Sequence, residues 1–218
     1  MPSLATQLAA LTAAARAILP ASVAVATSDP TAAAQPLWLG ETLRGAVDSR
    51  LREFAAGRAA ARQAFALLGV DPAAIPQGPD RAPVWPTGIT GSITHSATLC
   101  LAAVTRDAML IGIDLEPDTP LAPDLWDTVL LPAEQEMLRS NSNAPLLAKR
   151  IFSAKEAAYK AQYARSKTLF GFDVIQIILS DSSFTARFTT SVPNFPAGTT
   201  LHGRAISVAN HILTAVTG

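Results

Sequence analysis

Ile111-Gly112-Ile113-Asp114-Leu115-Glu116 alternates apolar residues with a glycine and two acids, the period of a strand whose two faces differ. On such a strand Asp114 and Glu116 point the same way, about 6 to 7 Å apart at their backbones, while Ile111, Ile113 and Leu115 face the core. Two carboxylates are then offered to one cation. Hard oxygen donors without His or Cys neighbours favour magnesium over zinc. The same pattern also fits a strand that ends at the surface with two solvated acids.

Downstream stands Arg150-Ile151-Phe152-Ser153-Ala154-Lys155-Glu156-Ala157-Ala158-Tyr159-Lys160. Read as a helix, it sets Glu156 and Lys160 one turn apart on one side, with Phe152 and Tyr159 on an apolar side. A third carboxylate and an ammonium can reach the strand's acids from such a helix, although a solvated Glu–Lys pair has the same spacing. Upstream, Arg58 and Arg62 stand four apart on a helix among small residues, a spacing that suits phosphate and equally suits ordinary surface arginines. Between them and the acidic strand, Trp85 to Ser96 crowds glycines, hydroxyls and His95, groups that donate to phosphate oxygens. A serine-hydrolase reading fails there, because Gly-x-Ser-x-Gly is absent and Ser92 and His95 are too close in sequence.

The rest of the chain frames these patches. Leu4, Leu8, Leu11, Ala15 and Ile18 predict an amphipathic helix within Met1 to Pro20, followed by a strand at Val23 to Ala26 and a Pro- and Ala-rich connection to Trp38. A long helix is expected over Glu41 to Gly69, with Gly69 as C-cap and Gly57 as a kink or break. The proline-dense stretch 71 to 91 predicts an ordered loop, and the Thr94–His95 pair is placed on that loop's continuation. Strands are expected over Leu99 to Val104, Met109 to Leu115, Val174 to Leu179, Phe184 to Phe188 and Ala205 to Val216, with helices over Leu130 to Ser140 and Leu146 to Tyr163. Residues 140 to 145 and 190 to 200 predict loops. The expected fold class is α+β, in two similar α/β lobes spanning 1–107 and 108–218, each a long helix beside strands.

Seventeen basic and seventeen acidic residues among 218 give a net charge of zero, so no general footprint for nucleic acid or an anionic membrane exists and any anion must be met locally. The single cysteine, Cys100, excludes an internal disulfide and lies in an apolar run that predicts burial. No segment approaches the roughly 18 consecutive apolar residues of a membrane span, and with no export signal the cytoplasm is the expected location.

Taken in order, the patches resemble the phosphopantetheinyl transferase superfamily, in its two-lobed branch of the enterobactin-synthase type. The matching text is Arg50 to Arg62, Arg81-Ala82-Pro83-Val84-Trp85-Pro86, Gly91-Ser92-Ile93-Thr94-His95-Ser96, Gly112-Ile113-Asp114-Leu115-Glu116 and Phe152 to Lys160. It covers roughly residues 40 to 175 and leaves the first 40 unassigned. The resemblance implies a pseudo-dimeric fold and transfer of 4′-phosphopantetheine from coenzyme A to a serine of an acyl or peptidyl carrier protein, with release of 3′,5′-ADP. It implies Mg²⁺ on Asp114, Glu116 and Glu156. Arg58, Arg62 and Arg81 fall near the 3′-phosphate and adenine end of coenzyme A, Thr94 and His95 at the nucleotide phosphates, and Lys155 and Lys160 as the paired lysines, with Lys160 reaching the pyrophosphate. Glu156, directly or through a water, is expected to take the serine proton. A monomer acting in secondary metabolism such as siderophore biosynthesis is expected. A metal-dependent phosphodiesterase or nuclease, and a non-catalytic carrier-protein binding module, are the competing readings.

Overall fold

The computed structural model describes residues 2–33 and 35–218. Met1, where the first helix was expected to begin, and Ala34, in the connection to Trp38, lie outside the described residues. The chain forms two compact units, Met1–Met109 and Leu110–Gly218.

In the first unit, α1 (Leu4–Ile18) starts where the Ser3 side chain accepts from the Thr6 amide, and it buries Leu11 and Ala15. Strands β1 (Ala24–Ser28), β2 (Thr90–His95) and β3 (Cys100–Thr105) form an antiparallel sheet in the order β1-β3-β2. Helix α2 (Asp48–Leu67) lays Ala60, Ala61, Ala64 and Phe65 against Ala26, Ala102 and Val104. Small side chains let helix and sheet approach closely, and a Cβ on Gly57 would stand 2.8 Å from Ile93 Cγ2. Gly57 therefore does not divide the helix; it seats it. Gly69, at φ +65°, closes the helix as expected.

Two local expectations change. The helix begins at Asp48 rather than Glu41, because the Glu41 carboxylate is used instead to accept from the Trp38 and Ile75 amides, and Gly45 turns the chain at φ +70°. Thr90–His95 is a strand, not part of a loop: its residues pair one for one with β3, from Thr90↔Thr105 to His95↔Cys100.

In the second unit, β4 (Ile111–Pro117), β5 (Ile175–Leu179), β6 (Ser183–Phe188), β7 (Thr200–Val208) and β8 (His211–Thr217) form an antiparallel sheet in the order β4-β8-β7-β6-β5. The segment 205–216 is a hairpin rather than one strand, turned by Ala209 and Asn210, both at positive φ. Short helices α3 (Trp126–Val129) and α4 (Pro132–Leu138) precede the long α5 (Ala144–Ser166). Along α5, Ala148, Ile151, Ala154, Ala157, Ala158 and Ala161 are all fully buried and form the stripe that packs on the sheet. The result is a mixed α/β fold with two antiparallel sheets, each carrying one long helix.

Candidate active site

The acidic strand and the Lys-Glu helix meet because Gly112 has no side chain. A Cβ there would stand 2.0 Å from the Ala157 carbonyl oxygen and 2.5 Å from the Ala161 nitrogen, so α5 rests directly on β4. Alternation then turns Asp114 and Glu116 toward the same helix. Lys149, Ser153, Glu156 and Lys160, spaced by four, three and four residues, bring their charges and hydroxyl to that side of α5.

The contacts are specific. Lys160 Nζ donates to Asp114 Oδ1 at 2.6 Å and to the Ile113 carbonyl at 3.2 Å. Ser153 Oγ donates to Asp114 Oδ2 at 2.9 Å. Lys149 Nζ donates to Glu116 Oε2 at 3.1 Å. Burial holds Glu116 above the usual carboxylate range, with Asp114 adding to the rise against the pull of Lys149. Glu156 is likewise raised, first by burial and then by Asp114 and Glu116, while Lys160 opposes the shift. Glu116 thus feels the charge of Asp114, and Glu156 the charges of both.

Among the described residues no three His, Cys, Asp or Glu side chains are grouped to hold a metal ion. The donor type is nevertheless that of a hard-cation site: Asp114 and Glu116 on one strand face and Glu156 on the helix that packs on it offer carboxylate oxygens and no soft ligand. Asp114, Glu116 and Glu156 are the residues that would hold such an ion.

Beside Glu156 lies a largely apolar crevice of about 90 Å³, lined by Lys155, Tyr159, Phe170, Gly171, Phe172 and Ile175. The Lys155 ammonium donates to the Val129 carbonyl at 2.8 Å, the Phe172 carbonyl at 2.9 Å and Glu134 at 2.8 Å, which occupies all three protons. Glu134 in turn accepts from the Leu131 and Ile177 amides. Lys155, expected beside Lys160 as a cofactor contact, is here a buried tie between α5, α4 and the start of β5.

In the first unit the cations are similarly divided. Arg62 pairs with Glu41 at 2.6 Å, donates to the Pro36 carbonyl at 3.3 Å and lies over the Trp38 ring, so its fork is committed to the fold. Arg58 is 6% exposed, donates through Nε to the Ile75 carbonyl and stacks on Phe54. Burial lowers its pKa to about 10, against the pull of Glu41. A buried guanidinium in that state gains from an anion. Arg81 is exposed on a loop at φ +66°. His95 lies with Arg50 and Glu53 of α2: Arg50 Nη1 meets His95 Nε2, and Glu53 accepts from Arg50 at 3.1 Å and faces His95 Nδ1 at 3.5 Å. Thr94 is buried on the opposite face of β2 from His95.

Sequence reading assigned no role to Arg50, Glu53, Glu41, Glu134, Lys149, Ser153 or Thr214. Lys149 and Ser153 share the helical spacing of Glu156 and Lys160 and were detectable from it. Arg50 and Glu53 stand three apart on α2 and Glu134 three after Leu131, spacings that were also legible, whereas Glu41 and Thr214 act through loop contacts and strand register that have no local signature.

Residues 40–105 match the family described as the 4′-phosphopantetheinyl transferase N-terminal domain, and residues 110–215 match the 4′-phosphopantetheinyl transferase superfamily. The chain is similar to 4′-phosphopantetheinyl transferase PptT of Mycobacterium tuberculosis, 39% identical over 181 residues, covering 78% of this chain and 80% of that protein. It is also similar to 4′-phosphopantetheinyl transferase Npt of Nocardia iowensis, 41% identical over 133 residues, where the match covers 60% of each chain. Enterobactin synthase component D of Escherichia coli is 40% identical over 148 residues, covering 65% of this chain and 69% of that protein.

Proposed function

Because the chain belongs to the 4′-phosphopantetheinyl transferase superfamily, we propose that it transfers 4′-phosphopantetheine from coenzyme A to a serine of an acyl or peptidyl carrier protein, releasing 3′,5′-ADP. The observation that carries this reading is the Asp114–Lys160 ion pair on the strand–helix contact, with Glu116 and Glu156 each feeling the charges of both. The serine oxygen forms a bond to the β-phosphate, the bond from that phosphorus to the departing 3′,5′-ADP breaks, and the leaving oxygen takes the electron pair. Mg²⁺, when held by Asp114, Glu116 and Glu156, supplies neutralisation of the pyrophosphate.

Glu156 is suited to receive the serine proton, directly or through a water, because its raised pKa makes it a stronger base than an ordinary glutamate. Lys160 adds a fixed positive charge where negative charge grows on the phosphoryl oxygens. In the first unit Arg58, Arg81, Thr94 and His95 are assigned to the coenzyme A phosphates, with Arg50 beside His95. Arg62 and Lys155 support the site from within the fold rather than by touching the donor. Tyr159, Phe170 and Phe172 beside Glu156 offer an apolar wall that limits water near the reacting hydroxyl.

A monomer suffices, since both matched segments lie on one chain. The likeness to enterobactin synthase component D supports secondary metabolism, including siderophore assembly, as the pathway class. Coenzyme A as donor supports a cytoplasmic setting, and among the described residues no helix is long and apolar enough to cross a membrane. Neither the nuclease nor the non-catalytic alternative gains support from the matched families. The test is chromatographic: purified protein, coenzyme A, Mg²⁺ and an apo-carrier should release 3′,5′-ADP in step with loss of coenzyme A. Intact coenzyme A after prolonged incubation with several carrier types would refute the reading.

A further inference from the structure

Three polar side chains are buried together where α5 crosses β4 and β8: Ser153 and Thr214 are fully buried and Asp114 is 4% exposed. Thr214 stands directly opposite Asp114 in the β4–β8 pairing. Ser153 Oγ lies 2.9 Å from Asp114 Oδ2 and 2.9 Å from Thr214 Oγ1, and Thr214 Oγ1 lies 2.9 Å from the Ser153 carbonyl oxygen.

The protons fix the direction of this network. An ionised carboxylate only accepts, so the single Ser153 hydroxyl proton goes to Asp114 Oδ2. Ser153 Oγ then has only acceptor capacity left for Thr214, and the single Thr214 proton faces the two oxygens of Ser153. Thr214 donates to the Ser153 carbonyl while its oxygen faces the Ser153 hydroxyl, and Ser153 donates to Asp114. Alanine and valine would fill the same space with no polar group to satisfy, and burying hydroxyls brings no net gain over apolar packing unless they serve another group. The group served here is the carboxylate. With Oδ2 tied, Oδ1 is the oxygen aimed at a cation, and Lys160 meets it at 2.6 Å.

We propose that Thr214 is a positioning residue of the site: acting through Ser153, it fixes Asp114 Oδ2 and so presents Oδ1 to the cation, which is Lys160 in this structure and a divalent ion in the proposed reaction. The inference rests on the transferase reading for its consequence, but it is judged on binding by itself. Groups that orient a metal ligand from behind typically change metal affinity by about ten- to a hundredfold when removed.

The experiment titrates Mn²⁺ alone into the full chain by electron paramagnetic resonance, for wild type, Thr214→Val and Thr214→Ser. The Mg²⁺ dependence of 3′,5′-ADP release and metal-free melting are followed in parallel. Thr214→Val should weaken Mn²⁺ binding about tenfold or more and move the Mg²⁺ midpoint of the reaction upward, with the rate recovering at saturating Mg²⁺. Thr214→Ser, which keeps the hydroxyl, should bind Mn²⁺ as wild type does. Wild-type affinity in Thr214→Val, equal weakening in both variants, or a wild type that binds no Mn²⁺ would each overturn the proposal. A wild type that binds Mn²⁺ yet releases no 3′,5′-ADP overturns the transferase reading instead, and the comparison of Mn²⁺ affinities still decides the role of Thr214.

Discussion

Gly112 and Ala157 touch so closely that a Cβ on the glycine would stand 2.0 Å from the alanine's carbonyl oxygen. This contact sets the distance between the acidic strand and the helix bearing Glu156 and Lys160. Gly112→Ala must push α5 off β4, and overpacking of this kind costs about 1–3 kcal/mol or more. Chemical denaturation should register that loss, and carrier modification should fall with it, because the carboxylates no longer meet Lys160. A variant with wild-type stability would show that the contact can relax.

Much of this arrangement is legible in the sequence. The alternation around Asp114 and the spacing of Glu156 and Lys160 announce a strand face and a helix face, and these are local periodicities. What brings Lys149 onto Glu116 is the packing of α5 on β4, and what sets Thr214 opposite Asp114 is the pairing of β4 with β8 across about a hundred residues. No local pattern encodes that register. Arg58 and Arg62 illustrate the same limit: identical side chains four apart, one held by Glu41 and Trp38, the other by a carbonyl and a ring. The strand at Thr90–His95 was hidden by its glycine and hydroxyls, and it exists because β3 supplies a partner edge.

The two arginines should separate in experiment. Arg62→Met strands the Glu41 carboxylate, whose side chain is 0% exposed, and breaking a buried pair in this way costs about 3–5 kcal/mol. Arg58→Met gives up one hydrogen bond and a stacked ring but also removes a charge that burial disfavours, so stability should stay within about 1 kcal/mol of wild type. Its effect should instead be a raised KM for coenzyme A. Denaturation curves and steady-state kinetics on both variants check the contrast; similar behaviour of the two would contradict it.

Lys155 and Glu134 form the corresponding tie in the second unit, with side chains 2% and 1% exposed. Lys155→Met alone should destabilise by about 3–5 kcal/mol, whereas Lys155→Met combined with Glu134→Leu should recover part of the loss because no buried charge is left unpaired. A double-mutant cycle by thermal or chemical melting measures the coupling. Additive losses would mean that the pair does not act as a unit.

The acids predict a pH dependence with a definite sign. Glu116 and Glu156 titrate above their ordinary value of 4.5 in the fold. Their contribution to metal-free stability is therefore present below 4.5 and is lost as pH rises through the raised values. Metal-free melting across pH tests this sign. Transfer needs Glu156 ionised, and Glu156→Gln should lower the rate about 10²–10⁴-fold at saturating coenzyme A and Mg²⁺. Full activity in Glu156→Gln would remove its assigned role.

Intact-mass spectrometry of an apo-carrier incubated with this protein, coenzyme A and Mg²⁺ addresses the central claim most directly. The carrier should gain the mass of one phosphopantetheine, the gain should map to a single serine, and it should vanish when that serine is replaced by alanine or when Asp114→Ala replaces the wild-type enzyme. An unmodified carrier across acyl and peptidyl types, or undiminished modification by Asp114→Ala, would contradict the account.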